Sequence, residues 1–451
     1  MRPKQQFSDL GLFDAKVPRY TSYPTAPHFN PGINDGFFRD CLAQIPEKTQ
    51  ISLYVHVPFC RRLCWFCACR TQGTQTAAPV AAYVETLRQE LRLLQKHLPS
   101  GVTLSRLHWG GGTPTLLSPD MITSLTDSIF DVAPMAENGE FSVEIDPNEV
   151  DGARLDALAK AGMNRASIGV QDFDPGIQET IGRLQSYEIT KQAVDMIRAR
   201  GVTSLNADIL FGLPDQSPQK ITESVQKLLS LSPDRVALYG YAHVPWMAKR
   251  QQLIPSDALP TPEERLDLFE TAAKLFKWDG YDAIGIDHFA LPEDGLVIAA
   301  KDGRLRRNFQ GYTDDQADVL IGVGASSISR FPQGYAQNAP ATAAYVKAIE
   351  EKRFSVSRGH VFQNDDTLNA RLIEAVMCDF AVDSQEICEG YDITAEVLKK
   401  RFDAVNKQFD GLMQVSDEGL YIPEDVRPLT RLIARTFDAY DQTKARHSAA
   451  I

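Results

Sequence analysis

Four cysteines, Cys60, Cys64, Cys67 and Cys69, stand close together in the run Tyr54-Val-His-Val-Pro-Phe-Cys60-Arg-Arg-Leu-Cys64-Trp-Phe-Cys67-Ala-Cys69. Thiolates this near one another on one loop can all reach a single metal centre. Disulfides between such neighbours would be strained and would stabilise almost nothing. Structural zinc usually draws on two separated ligand pairs that staple distant segments. Here every thiol lies on one loop, and three of them can hold three corners of an iron–sulfur cube while one iron stays open to a substrate or cofactor. The spacing therefore favours iron–sulfur over zinc.

Other residues could serve the same chemistry. Gly110-Gly-Gly-Thr-Pro-Thr115 alone would read as a tight turn, but facing a metal loop it allows close backbone approach and frees N–H donors for a polar ligand. Glu144, in Phe141-Ser-Val-Glu-Ile-Asp-Pro147, alternates within an apolar strand, so its carboxylate points into a barrel interior and needs a partner. A ligand ammonium or an internal Arg or Lys would satisfy it. Arg183 could fork onto a carboxylate and Asp208 could accept from ribose hydroxyls, though each alone reads as an ordinary polar residue. The basic run Lys301-Asp-Gly-Arg-Leu-Arg-Arg307 suits capture of a multi-carboxylate anion, against the commoner reading of a solvated turn. His56, His243 and His288 read as satisfied core or edge residues.

Six strand–helix units must position these groups: Ile51–Val57 with 80–98, 104–109 with 119–132, 141–146 with 152–161, 165–170 with 187–200, 204–210 with 218–231, and 235–241 with 261–278. A further strand over 281–288 could close the series. Each distinctive segment lies just past a strand, at the carboxyl edge where barrels and open α/β sheets build their sites. The fold class is α/β, in three parts: an N-terminal arm over 1–48, a catalytic domain over 49–364, and a small, mostly helical C-terminal domain over 365–451.

The whole chain has 451 residues, 43% hydrophobic and 24% charged, with 47 basic against 59 acidic residues for a net charge of −12. That balance disfavours a general nucleic-acid role. No stretch approaches the roughly 18 apolar residues of a membrane span. The N-terminus lacks an apolar signal core, so a cytoplasmic, reducing location is expected.

The Cys60-x3-Cys64-x2-Cys67 triplet with Phe66 resembles the radical S-adenosylmethionine superfamily. Tyr20-Thr-Ser-Tyr-Pro-Thr25, His108-Trp-Gly-Gly-Gly-Thr-Pro-Thr115, Gly169-Val-Gln-Asp-Phe173, Tyr241-Ala-His-Val-Pro245, Asp287-His-Phe-Ala290 and Arg307-Asn-Phe-Gln-Gly-Tyr312 narrow the resemblance to the oxygen-independent coproporphyrinogen III oxidases. The similarity runs from about residue 17 to beyond 335. It implies a partial (β/α)6 barrel of radical SAM type and a 5′-deoxyadenosyl radical that starts decarboxylation of two propionates of coproporphyrinogen III, giving protoporphyrinogen IX in haem and porphyrin biosynthesis. By this resemblance Cys60, Cys64 and Cys67 are ligands of a [4Fe–4S] cluster, and Tyr54, Gly111, Glu144 and Ile328 surround S-adenosylmethionine on it. Phe66, Gly112, Thr113, Gln171, Arg183, Asp208 and Ala242 match the surroundings of a second S-adenosylmethionine. Cys69 matches a cysteine needed for activity without binding the cluster.

The resemblance also implies a monomer served by a flavodoxin- or ferredoxin-type electron donor and by an electron acceptor. Three departures stand out: Ala68 where glycine is common, Asp314 where threonine is usual, and a C-terminal run, Arg431 to Tyr440, that keeps only part of the family's ending. Haem-binding chaperones of the same superfamily are shorter at the N-terminus and lack the equivalent of Cys69. The enzyme is therefore the reading that both features favour.

Overall fold

Apolar and polar residues alternate along successive segments, which gives a sheet one face for helices and one for a lumen. The computed structural model describes residues 3–440 and 448–451. Six strands follow one another in chain order: β1 (Gln50–Val57), β2 (Thr103–Gly111), β3 (Met135–Ile145), β4 (Arg165–Gln171), β5 (Ser204–Phe211) and β6 (Arg235–Gly240). Each pairs in parallel with the next. Their order never reverses, which is the arrangement of a barrel wall and not of a doubly wound sheet.

The crossover helices are α1 (Ala78–Gln95), α2 (Pro119–Val132), α3 (Gly152–Lys160), α4 (Tyr187–Arg198), α5 (Pro218–Leu229) and α6 (Pro262–Trp278). Side chains of Ser118, Asp151, Ser186, Ser217 and Thr261 cap all but the first, and Thr261 with Glu264 completes a capping box. Just past α3 and α4, Gly162 and Gly201 adopt φ of 92° and 78°, which stops both helices.

The segment expected as one closing strand is instead a hairpin. β7 (Asp282–Ile284) and β8 (His288–Ala290) are antiparallel to each other, and β8 is antiparallel to β6. Gly285, at φ 53°, turns the chain between them, and a Cβ there would collide with the Tyr312 ring. On the other flank β9 (Leu320–Val323) joins β1 in parallel, followed by antiparallel β10 (Ile328–Phe331), β11 (Gly334–Asn338) and β12 (Val356–Val361). The full order is β12-β11-β10-β9-β1-β2-β3-β4-β5-β6-β8-β7.

In β1, Ile51, Leu53, Val55 and Val57 are buried in the main core with Leu87 and Leu91 of α1, while Ser52, Tyr54 and His56 take the opposite face. β4 repeats the pattern with Ala166, Ile168 and Val170 buried and Arg165, Ser167, Gly169 and Gln171 between them. Near the strand starts, charged side chains pair: Arg165 with Glu140 at 3.1 Å, Arg106 with Asp314 at 2.9 Å, and Arg235 with Asp294 at 2.6 Å. This ionic layer leaves the carboxyl ends for chemistry.

The C-terminal region contains α7 (Asp366–Asp379), α8 (Ser384–Gly390), α9 (Ala395–Gln408), α10 (Thr430–Arg435) and a small antiparallel sheet of 381–383, 419–421 and 414–415. Phe7, Leu12, Phe13, Val17, Tyr20 and Tyr23 of the N-terminal segment share one core with Leu372, Phe402 and Ile433. Buried Arg431 fastens the two by donating to the carbonyls of Val17, Pro18, Ala449 and Ala450. Among the described residues no helix is long and apolar enough to cross a membrane.

Candidate active site

The glycine turn after β2 zips onto the start of the cysteine loop after β1. Gly112 N–H donates to Val57 O at 2.8 Å and Thr113 N–H to Phe59 O at 2.8 Å. The backbones approach so closely that a Cβ on Gly112 would lie 2.5 Å from Phe59 O, and one on Gly111, at φ 109°, 2.5 Å from the His56 ring. A Cβ on Gly110 would lie 2.7 Å from a Glu144 oxygen. Only glycine permits this triple approach.

Within the loop, Cys69 N–H lies 3.4 Å from Cys67 Sγ. The Cys69 thiol also bonds to Cys67; this hydrogen bond, against the effect of burial, lowers Cys67 to about 6. The same bond raises Cys69 well above the usual thiol range. Cys60 is pushed up to about 11 by burial, opposed by a bond with Thr113. Arg183 Nη1 lies 3.6 Å from Cys64 Sγ.

Glu144 accepts from Gly111 N–H at 3.0 Å and meets His108 Nε2 at 3.4 Å. Burial acts to raise its pKa, but His108 and the N–H outweigh that and leave it lowered. The internal partner is therefore a histidine and a backbone N–H, in place of the Arg or Lys that the sequence allows. Tyr54 stacks on His108 with ring centroids 5.8 Å apart, and its hydroxyl bonds His56 Nδ1 at 3.0 Å. Burial lowers the pKa of His56, which favours the neutral ring. Gly322 of β9 sits in register with Tyr54, and a Cβ there would lie 2.8 Å from Ile328 O, so Tyr54 and Ile328 flank one glycine.

A second group forms around Gly169. Arg183 Nη2 donates to Gly169 O at 2.9 Å and to Gln185 Oε1 at 3.1 Å, while Nη1 meets Asp146 at 3.4 Å. Its Nε is buried with no partner among the described residues. Gln171, at φ 69°, ends β4 at a bulge. A Cβ on Gly169 would touch both Gln171 Nε2 and Arg183 Nη2, at 2.9 and 3.1 Å. Asp208 accepts from Asn206 Nδ2 at 2.8 Å, and burial, opposed by that bond, raises it to about 7. Phe66 and Ala242 are joined by Gln251, whose Nε2 donates to their carbonyls at 2.7 and 3.0 Å.

Gln251, His56 and His108 had no assigned role from the sequence, nor had Arg250, which donates to Cys69 O at 3.3 Å and Thr71 Oγ1 at 2.8 Å. Strand parity could have found the histidines, since both share Tyr54's side of the sheet. Arg250 and Gln251 sit in an aperiodic segment that carries no such signal. The basic run divides: Arg304 pairs outward with Asp302, Arg306 approaches Glu374, and Arg307 turns inward over the Tyr312 ring at 4.4 Å.

Among the described residues no three His, Cys, Asp or Glu side chains converge as ligands of one metal ion would. The donor set does fit a cluster with an open corner: three thiols on one loop, beside a glycine cradle that any side chain would fill and a carboxylate whose pKa is lowered.

Successive parallel strands with three such thiols after the first define a radical S-adenosylmethionine enzyme, and the model of the Radical SAM superfamily matches residues 54–228. The chain belongs to the oxygen-independent coproporphyrinogen III oxidase family. It is 63% identical over 451 residues to the enzyme of that name from Paracoccus denitrificans, covering 100% of both chains. To that of Escherichia coli K12 it is 36% identical over 446 residues, covering 97% of this chain and 96% of the relative. The solved Escherichia coli coproporphyrinogen III oxidase, described as a radical SAM enzyme, superposes with a TM-score of 0.89 at 34% identity, covering 95% of this chain and 100% of that one.

Proposed function

We propose that this protein converts coproporphyrinogen III to protoporphyrinogen IX without oxygen, by oxidative decarboxylation of two propionates to vinyl groups. The observation that carries the reading is similarity over the whole chain, arm and C-terminal region included. The site supplies the chemical support. Cys60, Cys64 and Cys67 hold the [4Fe–4S] cluster, and Tyr54, Gly111, Glu144 and Ile328 surround S-adenosylmethionine. When bound, the cluster and S-adenosylmethionine supply a 5′-deoxyadenosyl radical able to remove a propionate β-hydrogen.

The protein's own groups bind, orient and shield. Glu144, ionised and backed by His108, faces an ammonium group. Gly110 to Gly112 let a ligand lie against backbone. A second S-adenosylmethionine is placed by Phe66, Gly112, Thr113, Gln171, Arg183, Asp208 and Ala242, with the unpartnered Nε of Arg183 as a donor for a carboxylate. Cys69 is assigned to turnover, where its thiol can donate hydrogen or a proton. An external one-electron donor of flavodoxin or ferredoxin type and an electron acceptor complete the balance.

The test is anaerobic: iron and sulfide are reconstituted, reductant, S-adenosylmethionine and coproporphyrinogen III are added, and 5′-deoxyadenosine and protoporphyrinogen are measured together. Both products are expected. Adenosine product without porphyrinogen turnover overturns the substrate while leaving the radical chemistry.

A further inference from the structure

A cavity of about 610 Å³ lies between α6, the turn joining β7 to β8, the N-terminal segment and the C-terminal region. It begins at Phe211, Gly240 and Tyr241, the carboxyl ends of β5 and β6, on the same edge as the cysteine loop. Tyr239, one residue earlier, lies two residues beyond Ala237, the register partner of Asp208, so it shares the face of the sheet that carries Asp208 and links the cavity's edge to the proposed cofactor space.

Phe7, Phe211, Phe269 and Phe380 give the cavity apolar walls, and five arginines, Arg19, Arg265, Arg307, Arg427 and Arg431, line it with two lysines against four carboxylates. Three of the arginines are held by backbone oxygens: Arg19 by Gly240, Arg265 by Gly212, Tyr241 and Ile451, and Arg431 by the four already named. Carbonyls orient the guanidinium groups of Arg19 and Arg431 without neutralising them. Of the carboxylates, Glu424 is taken by Lys277 at 2.6 Å.

Arg307 differs from the carbonyl-held three. Its side chain is 4% exposed, the closest carboxylate oxygen paired with it is on Asp287 at 3.9 Å, and its Nε and Nη1 have no hydrogen-bond partner among the described residues. Arg427 lies over the Phe380 ring at 4.1 Å, with its Nε likewise unpartnered. The buried guanidinium of Arg307, and the buried Nε of the part-exposed Arg427, carry a desolvation cost when left this way, which planar carboxylates relieve by accepting paired N–H bonds. Apolar walls with an excess of forked cations fit a bulky apolar body that carries several carboxylates.

We infer that this cavity seats the propionates of the porphyrinogen that are not reacting, with Arg307 and Arg427 as their forks. The inference rests on the substrate proposed above. Coproporphyrin III, the stable fluorescent analogue with the same four propionates, is titrated into reconstituted protein, with Arg307→Gln and Arg427→Gln compared and iron content and circular dichroism reporting folding. Each folded variant is expected to bind at least ~10-fold more weakly, as loss of one charge-assisted bond pair implies. The tetramethyl ester should bind the parent as weakly as coproporphyrin III binds the variants.

Binding within twofold of the parent in both variants overturns the inference, and Arg427→Gln alone decides if Arg307→Gln fails to fold. Thermal stabilisation by citrate that depends on Arg307, without any by coproporphyrin III, also overturns it in favour of a small free anion. Arginine-dependent porphyrin binding without protoporphyrinogen formation would keep the cavity and reject the reaction. Turnover with unchanged KM in both variants would do the reverse.

Discussion

Cys69 N–H lies 3.4 Å from Cys67 Sγ, and the proposed roles divide the cysteine run into cluster ligands and a separate thiol, which two variants tell apart. Cys64→Ala should lose iron and all S-adenosylmethionine cleavage. Cys69→Ser should keep at least most of its iron and the cluster absorbance while protoporphyrinogen formation collapses; full turnover would refute a catalytic thiol. Asp208, raised to about 7 by burial, is only part-ionised near neutrality. It accepts hydroxyl bonds best as a carboxylate, so KM for S-adenosylmethionine should fall as pH rises through 7, and Asp208→Asn should flatten that profile. Its effect on stability has the opposite sense. Between the ordinary carboxyl range, about 4, and 7 the folded state keeps a proton that the unfolded chain has released, so stability declines with rising pH there and levels off above. Two of the three departures from the family's motifs also have structural settings. Ala68 is exposed, while Asp314 accepts from Arg106 in the ionic layer. Asp314→Thr should therefore destabilise the fold by about 1.5–3 kcal/mol, read from thermal unfolding, because Arg106 loses a charged acceptor.

At the scale of elements, five of the six crossover helices begin at a capping Ser, Thr or Asp, and the strands alternate in the way their residues require. These features act over a few residues, which is why they were legible in the chain. The hairpin over 282–290 was not, because its short segment has the length and residues of one strand, and a single glycine, Gly285, carries the reversal. The glycine turn is the element most exposed to change. Gly112→Ala should displace Phe59 O and with it the first ligand loop, lowering iron incorporation at least ~2-fold with helix content kept, since a 2.5 Å contact with backbone cannot relax through a side chain. Normal iron content in that variant would show that the two loops need not close on each other.

Across the whole molecule, the arm and the C-terminal region form one apolar core, so their stabilities are coupled. Leu12→Ala, at a fully buried position, should cost about 2–5 kcal/mol and release the C-terminal helices with the arm, seen as hydrogen exchange rising together in both. From the sequence that arm reads only as an extended, proline-punctuated segment, because its C-terminal partners, Leu368 to Ala450, lie more than three hundred residues further along the chain. The chain by itself determined the strand–helix order, the helix caps, the cysteine spacing and the motifs that carry the family resemblance, since each depends on neighbours within a turn or a strand. Only the tertiary structure decided that Glu144 faces His108, that Gln251 ties Phe66 to Ala242, and that Arg307 leaves its basic run to enter a cavity with four distant arginines. Those contacts depend on how twelve strands are paired and where the loops between them meet, and no local periodicity encodes that.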